Sequence, residues 1–128
     1  IINNSKATNV SSAFLTLDNK KNIFLILGGI AKKNDEFHNF NKYKDNIVKI
    51  YIYGKSRYLI KKQIGLQKIS KVDTTLDYVV NNLWKDLSSF DCQATIIFAP
   101  ACASFDQFEN FEKRGNYFNK LIINKIKK

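Results

Sequence analysis

The chain has 128 residues, 45% of them hydrophobic and 13% aromatic, which excludes a disordered chain and leads us to expect a single globular domain over residues 1–128 with a core of its own. Its formal charge of +10 invites a nucleic-acid reading, but of 21 basic residues only Arg57 and Arg114 are arginines, the type suited to bidentate phosphate and guanine contacts, and the scattered lysines disfavour that partner. Cys92 and Cys102 have neither metal spacing nor a disulfide framework, no apolar run is long enough to span a bilayer, and residues 1–4 are no signal peptide, so we expect a cytoplasmic protein without membrane contact and two small buried thiols.

Ile1 and Ile2 run straight into a polar loop, as if a longer chain had been cut inside a strand. After Asn9, the residues Val10, Ala13, Phe14 and Leu17 recur on one helical face, and the pattern stops at the polar residues 18–22. Residues 23–27 form a continuous apolar run closed by Gly28 and Gly29, which reads as a strand covered on both faces and a turn that needs glycine, with its loop over residues 30–34. Residues 35–44 are poorly patterned, with room for a helix, and His38, the sole histidine, lies in a loop-like region and is read as incidental. A third strand over residues 47–53 is closed by Gly54, and a helix over residues 56–64 is ended by Gly65.

Residues 66–72 read as a weak strand towards a sheet edge, and residues 73–77 open a helix in which Leu76, Val79, Val80, Leu83, Trp84 and Leu87 keep helical spacing, with Trp84 expected in the core. Residues 95–98 are short, apolar and β-branched, and Pro100 cannot sit inside their ladder. Ala101, Cys102 and Ala103 would let a ligand approach the backbone. Ser104 with Gln107 reads as a capping box, so the last helix is expected to begin near Phe105. Phe105, Phe108 and Phe111, then Phe118, Leu121, Ile122 and Ile126, recur at helical intervals and are read as mostly core.

Strands and helices thus alternate, which predicts an α/β fold, a mostly parallel sheet with helices on both faces and right-handed crossovers. In such sheets the ligand sits beyond the carboxyl ends of the strands, here the loops at residues 4–9, 28–34, 54–56 and 100–104. Those loops carry Lys6 and Lys32 with the hydroxyls of Thr8 and Ser104, and a helix start after Ser104 would add free N–H groups, a set suited to several anionic groups. No phosphate-binding loop of the Gly-x-x-x-x-Gly-Lys-Ser/Thr type is present, nor a base beside a nucleophile, so no catalytic residue is expected here and these residues alone should be inactive.

Pro-Ala-Cys-Ala-Ser-Phe-Asp-Gln-Phe-Glu-Asn-Phe-Glu-Lys-Arg-Gly at residues 100–115 resembles the signature near the C-terminus of the D-glutamate-adding Mur ligases, and Asn-Ser-Lys-Ala-Thr-Asn at residues 4–9 is similar to that family's Asp-Ser-Lys-Ala-Thr-Asn. The resemblance implies a Rossmann-like third domain, the C-terminal, amino-acid-binding part of a three-domain ligase whose central domain holds the phosphate-binding loop and magnesium. It implies ATP and Mg2+ as cofactors, with UDP-N-acetylmuramoyl-L-alanine, D-glutamate and ATP as partners, and a monomer. ATP would phosphorylate the UDP-linked carboxylate, the amine of D-glutamate would attack the acyl phosphate, and phosphate would leave.

By matched motif positions, Thr8 and Lys32 would hold the α-carboxylate of D-glutamate, while Ser104, Phe105 and the backbone near Phe111 would hold its side-chain carboxylate. Asn4 would face the nucleotide, and Lys6 the nucleotide phosphates or the acyl phosphate. Two departures stand out: Asn4 replaces an aspartate that accepts from the ATP ribose, and an amide accepts less strongly than a carboxylate. Ile30-Ala31 replaces an Asp-Gly found in many members, but another branch of the family carries a Gly-Gly-x-x-Lys form, which makes Lys32 rather than Lys33 the matched lysine. Two other readings stand beside this one: a related ligase for another amino acid, and a catalytically inactive module that binds anions or nucleic acid.

Overall fold

The computed structural model describes residues 1–65 and 69–127. Five strands, β1 (Ile2–Asn3), β2 (Ile23–Gly28), β3 (Ile47–Tyr53), β4 (Ile69–Asp73) and β5 (Thr95–Phe98), form one sheet in the order β1-β5-β2-β3-β4. Every pairing is parallel. The helices are α1 (Val10–Leu17), α2 (Arg57–Ile64), α3 (Leu76–Leu87) and α4 (Phe111–Ile126), with a 3-10 helix at Phe37–Tyr43. The expected α/β Rossmann-like architecture is therefore what the chain adopts. The weak strand expected at residues 66–72 is edge strand β4, and residues 66–68 of that expectation lie outside the described residues.

Alternation along the buried strands sorts side chains into two cores. Ile23, Leu25 and Leu27 of β2 join Ile50 and Ile52 of β3 and Ile97 of β5 against Val10, Ala13 and Leu17 of α1, Phe37 and Phe40, and Ile60 and Ile64 of α2. Phe24 and Ile26, with Tyr51, Tyr53, Ile96 and Phe98, face Val79, Val80 and Leu83 of α3 and Phe118 and Ile122 of α4 on the other side. Helices thus cover both faces. The connections from β1 to β4 step across the sheet one way with their helices on the first face, and the return from β4 to β5 carries α3 on the second, so all four crossovers have the same hand.

The poorly patterned segment forms its 3-10 helix because Phe37 and Phe40, three residues apart, fall on one side of a three-residue turn and both reach the core. Trp84 is only half-buried, packed against the second core rather than inside it.

The last helix starts later than the sequence predicts. Ser104 is not its cap: the Ser104 carbonyl accepts from the Gln107 and Phe108 N–H groups at 3.2 and 2.9 Å, closing a turn. That turn is held by Gln107 Nε2, which donates to the Thr74 carbonyl at 2.5 Å, and by Asp106 Oδ2, which accepts from the Lys55 N–H at 2.9 Å. The helix begins at Phe111, where the Asn110 side chain accepts from the Lys113 N–H at 2.8 Å. With that shift the expected aromatic core stripe breaks: Phe105 is 71% and Phe111 39% exposed, and Ile126 also faces solvent. Cys102 is buried as expected, whereas Cys92 is exposed in the polar turn before β5.

Candidate functional site

Strand order decides where the site can form. From β2 the chain leaves to the first face of the sheet and from β5 to the second, so the loops after these neighbouring strands diverge at a topological switch point. The divergence does not leave an open crevice. Gly28 N–H donates to the Pro100 carbonyl at 3.1 Å, and Ile30 and Ala103 exchange N–H to O bonds of 2.9 and 3.0 Å. Gly29, with φ +125°, lies where a Cβ would meet the Ala103 carbonyl oxygen at 2.3 Å, so a glycine is needed for this closure.

The other two loops tie into the same seam. Ala101, at φ 62°, donates its N–H to the Ala7 carbonyl at 2.9 Å, and Ser56 donates to the Gly29 carbonyl at 3.0 Å while its hydroxyl accepts from Ala31 N–H at 2.9 Å. All four loops expected at the site therefore meet.

The individual residues fall out as follows. Thr8 follows Ala7 and is half-buried; Lys32 is exposed two residues past Ile30, its backbone N–H donating to Asp35 Oδ2 at 3.3 Å. Ser104 is 2% exposed beneath this surface, next to the open Phe105 ring. Asn4, Lys6 and Phe111 line a separate pocket of about 310 Å³, together with Ser5, Gly115 and Asn116. The Asn4 amide donates from Nδ2 to Thr16 Oγ1 at 2.6 Å, which anchors it to α1. Thr8, Lys32 and Ser104 thus sit on loops bonded to one another, while Asn4 and Lys6 open to the pocket beside the start of α4.

What sequence reasoning missed is Arg114. It is 0% exposed, and its guanidinium donates from Nε to Ser5 Oγ at 3.0 Å, from one terminal nitrogen to the Cys102 carbonyl at 2.8 Å and from the other to the Ser5 carbonyl at 2.6 Å. Among the described residues no carboxylate lies within ion-pair distance of it. Burial pulls its pKa below the ordinary value while nearby Tyr53, Cys102 and Asp106 oppose that shift, and a guanidinium stays charged in a protein, so a buried cation lies beneath these loops. The one available signal was its place in the Glu-Lys-Arg-Gly run, where a helix face otherwise polar turns inward.

Around the guanidinium the polar groups are neutral or partly satisfied. The Tyr53 hydroxyl lies close by without a well-formed hydrogen bond, and Asp106 Oδ1 is likewise buried without one. Burial pushes the Cys102 thiol up to about 12, which leaves it protonated and unreactive. Such a site can bind and orient anions. His38 is exposed near Glu36, and no group of three or more His, Cys, Asp or Glu among the described residues could hold a metal ion. No helix among the described residues is long and apolar enough to cross a membrane.

No family model matches the chain. It is 39% identical over 126 residues to a UDP-N-acetylmuramoylalanine–D-glutamate ligase of Hydrogenobaculum sp. (strain Y04AAS1), a match covering 95% of this chain and 29% of that protein. It is 38% identical over 124 residues to the ligase of the same name from Chlorobium limicola, covering 95% and 26%, and 35% identical over 120 residues to that of Rickettsia prowazekii, covering 93% and 27%. The chain spans less than a third of the length of these relatives.

Proposed function

This chain belongs with the UDP-N-acetylmuramoylalanine–D-glutamate ligases, and we propose that it is their C-terminal, amino-acid-binding domain, acting within a longer ATP-dependent ligase of cell-wall precursor synthesis. The observation that carries the reading is a match running through 95% of the chain at 39% identity.

In this reading Lys32 and Thr8 take the α-carboxylate of D-glutamate. Ser104, with Phe105 beside it and the free N–H groups in the first turn of α4 near Phe111, takes the side-chain carboxylate, because helix starts favour anions. From the neighbouring pocket Asn4 faces the nucleotide ribose and Lys6 the nucleotide phosphates or the acyl phosphate. Holding a dianion at both ends fixes its amine in line with the acyl phosphate, so positioning is this domain's contribution to the rate. Attack forms the C–N bond and expels phosphate. The magnesium that the reaction uses would be held by the rest of the longer ligase, since among the described residues no group of three or more His, Cys, Asp or Glu could hold a metal ion.

The test is phosphate release by the full-length ligase carrying this chain, given ATP, magnesium and UDP-N-acetylmuramoyl-L-alanine. Release should require D-glutamate, fail with L-glutamate, and fall sharply in Lys32→Ala and Ser104→Ala. Release indifferent to the amino acid would defeat the reading.

A further inference from the structure

The buried Arg114 touches both elements to which the ligase reading assigns the side-chain carboxylate, the turn at Ser104 and the start of α4 at Phe111. On one side it donates to the Cys102 carbonyl, two residues before Ser104. On the other it donates from Nε to Ser5 Oγ, and that hydroxyl donates in turn to the Phe111 carbonyl at 2.7 Å, in the first turn of α4. A third bond, to the Ser5 carbonyl, fixes the loop that presents Asn4 and Lys6. One planar, rigid group therefore sets the spacing between the Ser104 turn, the helix start and the residue 4–9 loop.

Each neighbour is shaped for this. Gly115 brings α4 against Ser5, since a Cβ there would lie 3.0 Å from the Ser5 Cβ. Asn3 Nδ2 donates to the Gly115 carbonyl at 2.9 Å, locking the same contact from β1. The Cys102 carbonyl is free to accept because the chain there runs in a turn rather than a ladder, between Ala101 bonded to Ala7 and Ala103 bonded to Ile30.

We propose that Arg114 is the positioning residue of this site, a buried cation that holds the Ser104 turn and the first turn of α4 at the separation an acidic side chain needs. The proposal rests on the ligase reading for its substrate and on the hydrogen bonds for its geometry. A lysine keeps the charge but carries a single ammonium with no fork, and so cannot span the same three acceptors.

The experiment uses the full-length ligase with Arg114→Lys, Arg114→Met and Ser5→Ala. In folded Arg114→Lys the KM for D-glutamate should rise about tenfold while kcat stays within about twofold, the signature of lost positioning in binding, and Arg114→Met should be worse than Arg114→Lys. Ser5→Ala, which cuts the relay to Phe111 but leaves the cation, should raise the same KM about threefold. If neither arginine variant folds, Ser5→Ala decides alone. An unchanged KM for D-glutamate in any folded variant overturns the proposal, as does a loss shared equally by kcat and by the KM values of all three substrates, which a purely structural role would give.

Amide hydrogen exchange without substrate separates this from failure of the ligase reading. Arg114→Lys should speed exchange at residues 101–104 and 111–114 together; unchanged exchange overturns the positioning role whatever the wild type catalyses. A wild type that releases phosphate without needing D-glutamate, yet shows the coupled exchange, would sink the ligase reading and leave the structural role of Arg114 standing.

Discussion

Gly115 lies so close to Ser5 that a Cβ on the glycine would stand 3.0 Å from the serine Cβ and 3.5 Å from its hydroxyl oxygen. The helix carrying Gly115 and the loop carrying Ser5 are 110 residues apart in sequence, and a hydrogen atom is all that separates them. Gly115→Val should therefore force α4 off the loop and destabilise the fold by about 1–3 kcal/mol, as overpacking does. Urea unfolding reads this directly, and an unchanged midpoint would mean that the contact is softer than its geometry.

Gly29 makes a second such contact, in a conformation that side chains avoid. At φ +125°, with the Ala103 carbonyl oxygen 2.3 Å from a would-be Cβ, Gly29→Ala should break the Ile30–Ala103 pairing and cost about 1–3 kcal/mol in strain. Because Lys32 lies two residues past that pairing, the KM for D-glutamate should rise in the same variant. Thermal melting and steady-state kinetics on one sample check both parts.

The true cap of α4 can be told from the expected one by stability. Asn110→Ala removes the acceptor of the Lys113 N–H and should cost about 0.5–2 kcal/mol. Ser104→Ala, which removes no helix cap, should leave stability nearly unchanged while weakening D-glutamate binding. Equal destabilisation of the two variants in urea would restore Ser104 as the cap.

The two thiols should behave differently. Cys92 is exposed and Cys102 fully buried and protonated, so a thiol reagent at pH 8 should label one cysteine rapidly in the native protein and both in denaturant. Rapid native labelling of two cysteines would show that the turn after β5 opens.

Stability should fall in alkali. Burial raises Cys102 from an ordinary 9.0 to about 12 and raises the Tyr53 hydroxyl as well, so the folded chain keeps protons that the unfolded chain has already lost. Their contribution is whole below about pH 9 and is lost as the pH climbs towards about 12. The urea midpoint should decline over that window, and Cys102→Ala should make the decline shallower. A flat profile in the wild type would contradict the burial of both groups.

What the sequence determined by itself was the set of strands and helices whose burial follows from local period. The apolar runs of β2, β3 and β5, the helical spacing of Val10, Ala13 and Leu17 or of Leu76, Val79, Val80 and Leu83, and the glycines at 28, 29, 54 and 65 mark elements whose burial is decided within a few residues, and alternation of these elements implies the parallel sheet. The loops at its carboxyl edge followed from that, and the family from two short motifs.

Only the tertiary structure decided what happens where loops from distant strands meet. Ser104-x-x-Gln107 satisfies the local rule for a helix start, but the Ala103–Ile30 pairing, the Gln107 bond to Thr74 and the Asp106 bond to Lys55 hold residues 104–108 in a turn, and α4 waits for Asn110. Arg114 reads as one more solvated charge until Ser5 and Cys102 arrive as its acceptors from elsewhere in the chain. A buried guanidinium needs partners that satisfy its donors, and which atoms do so is a property of the packed loops rather than of any window of sequence.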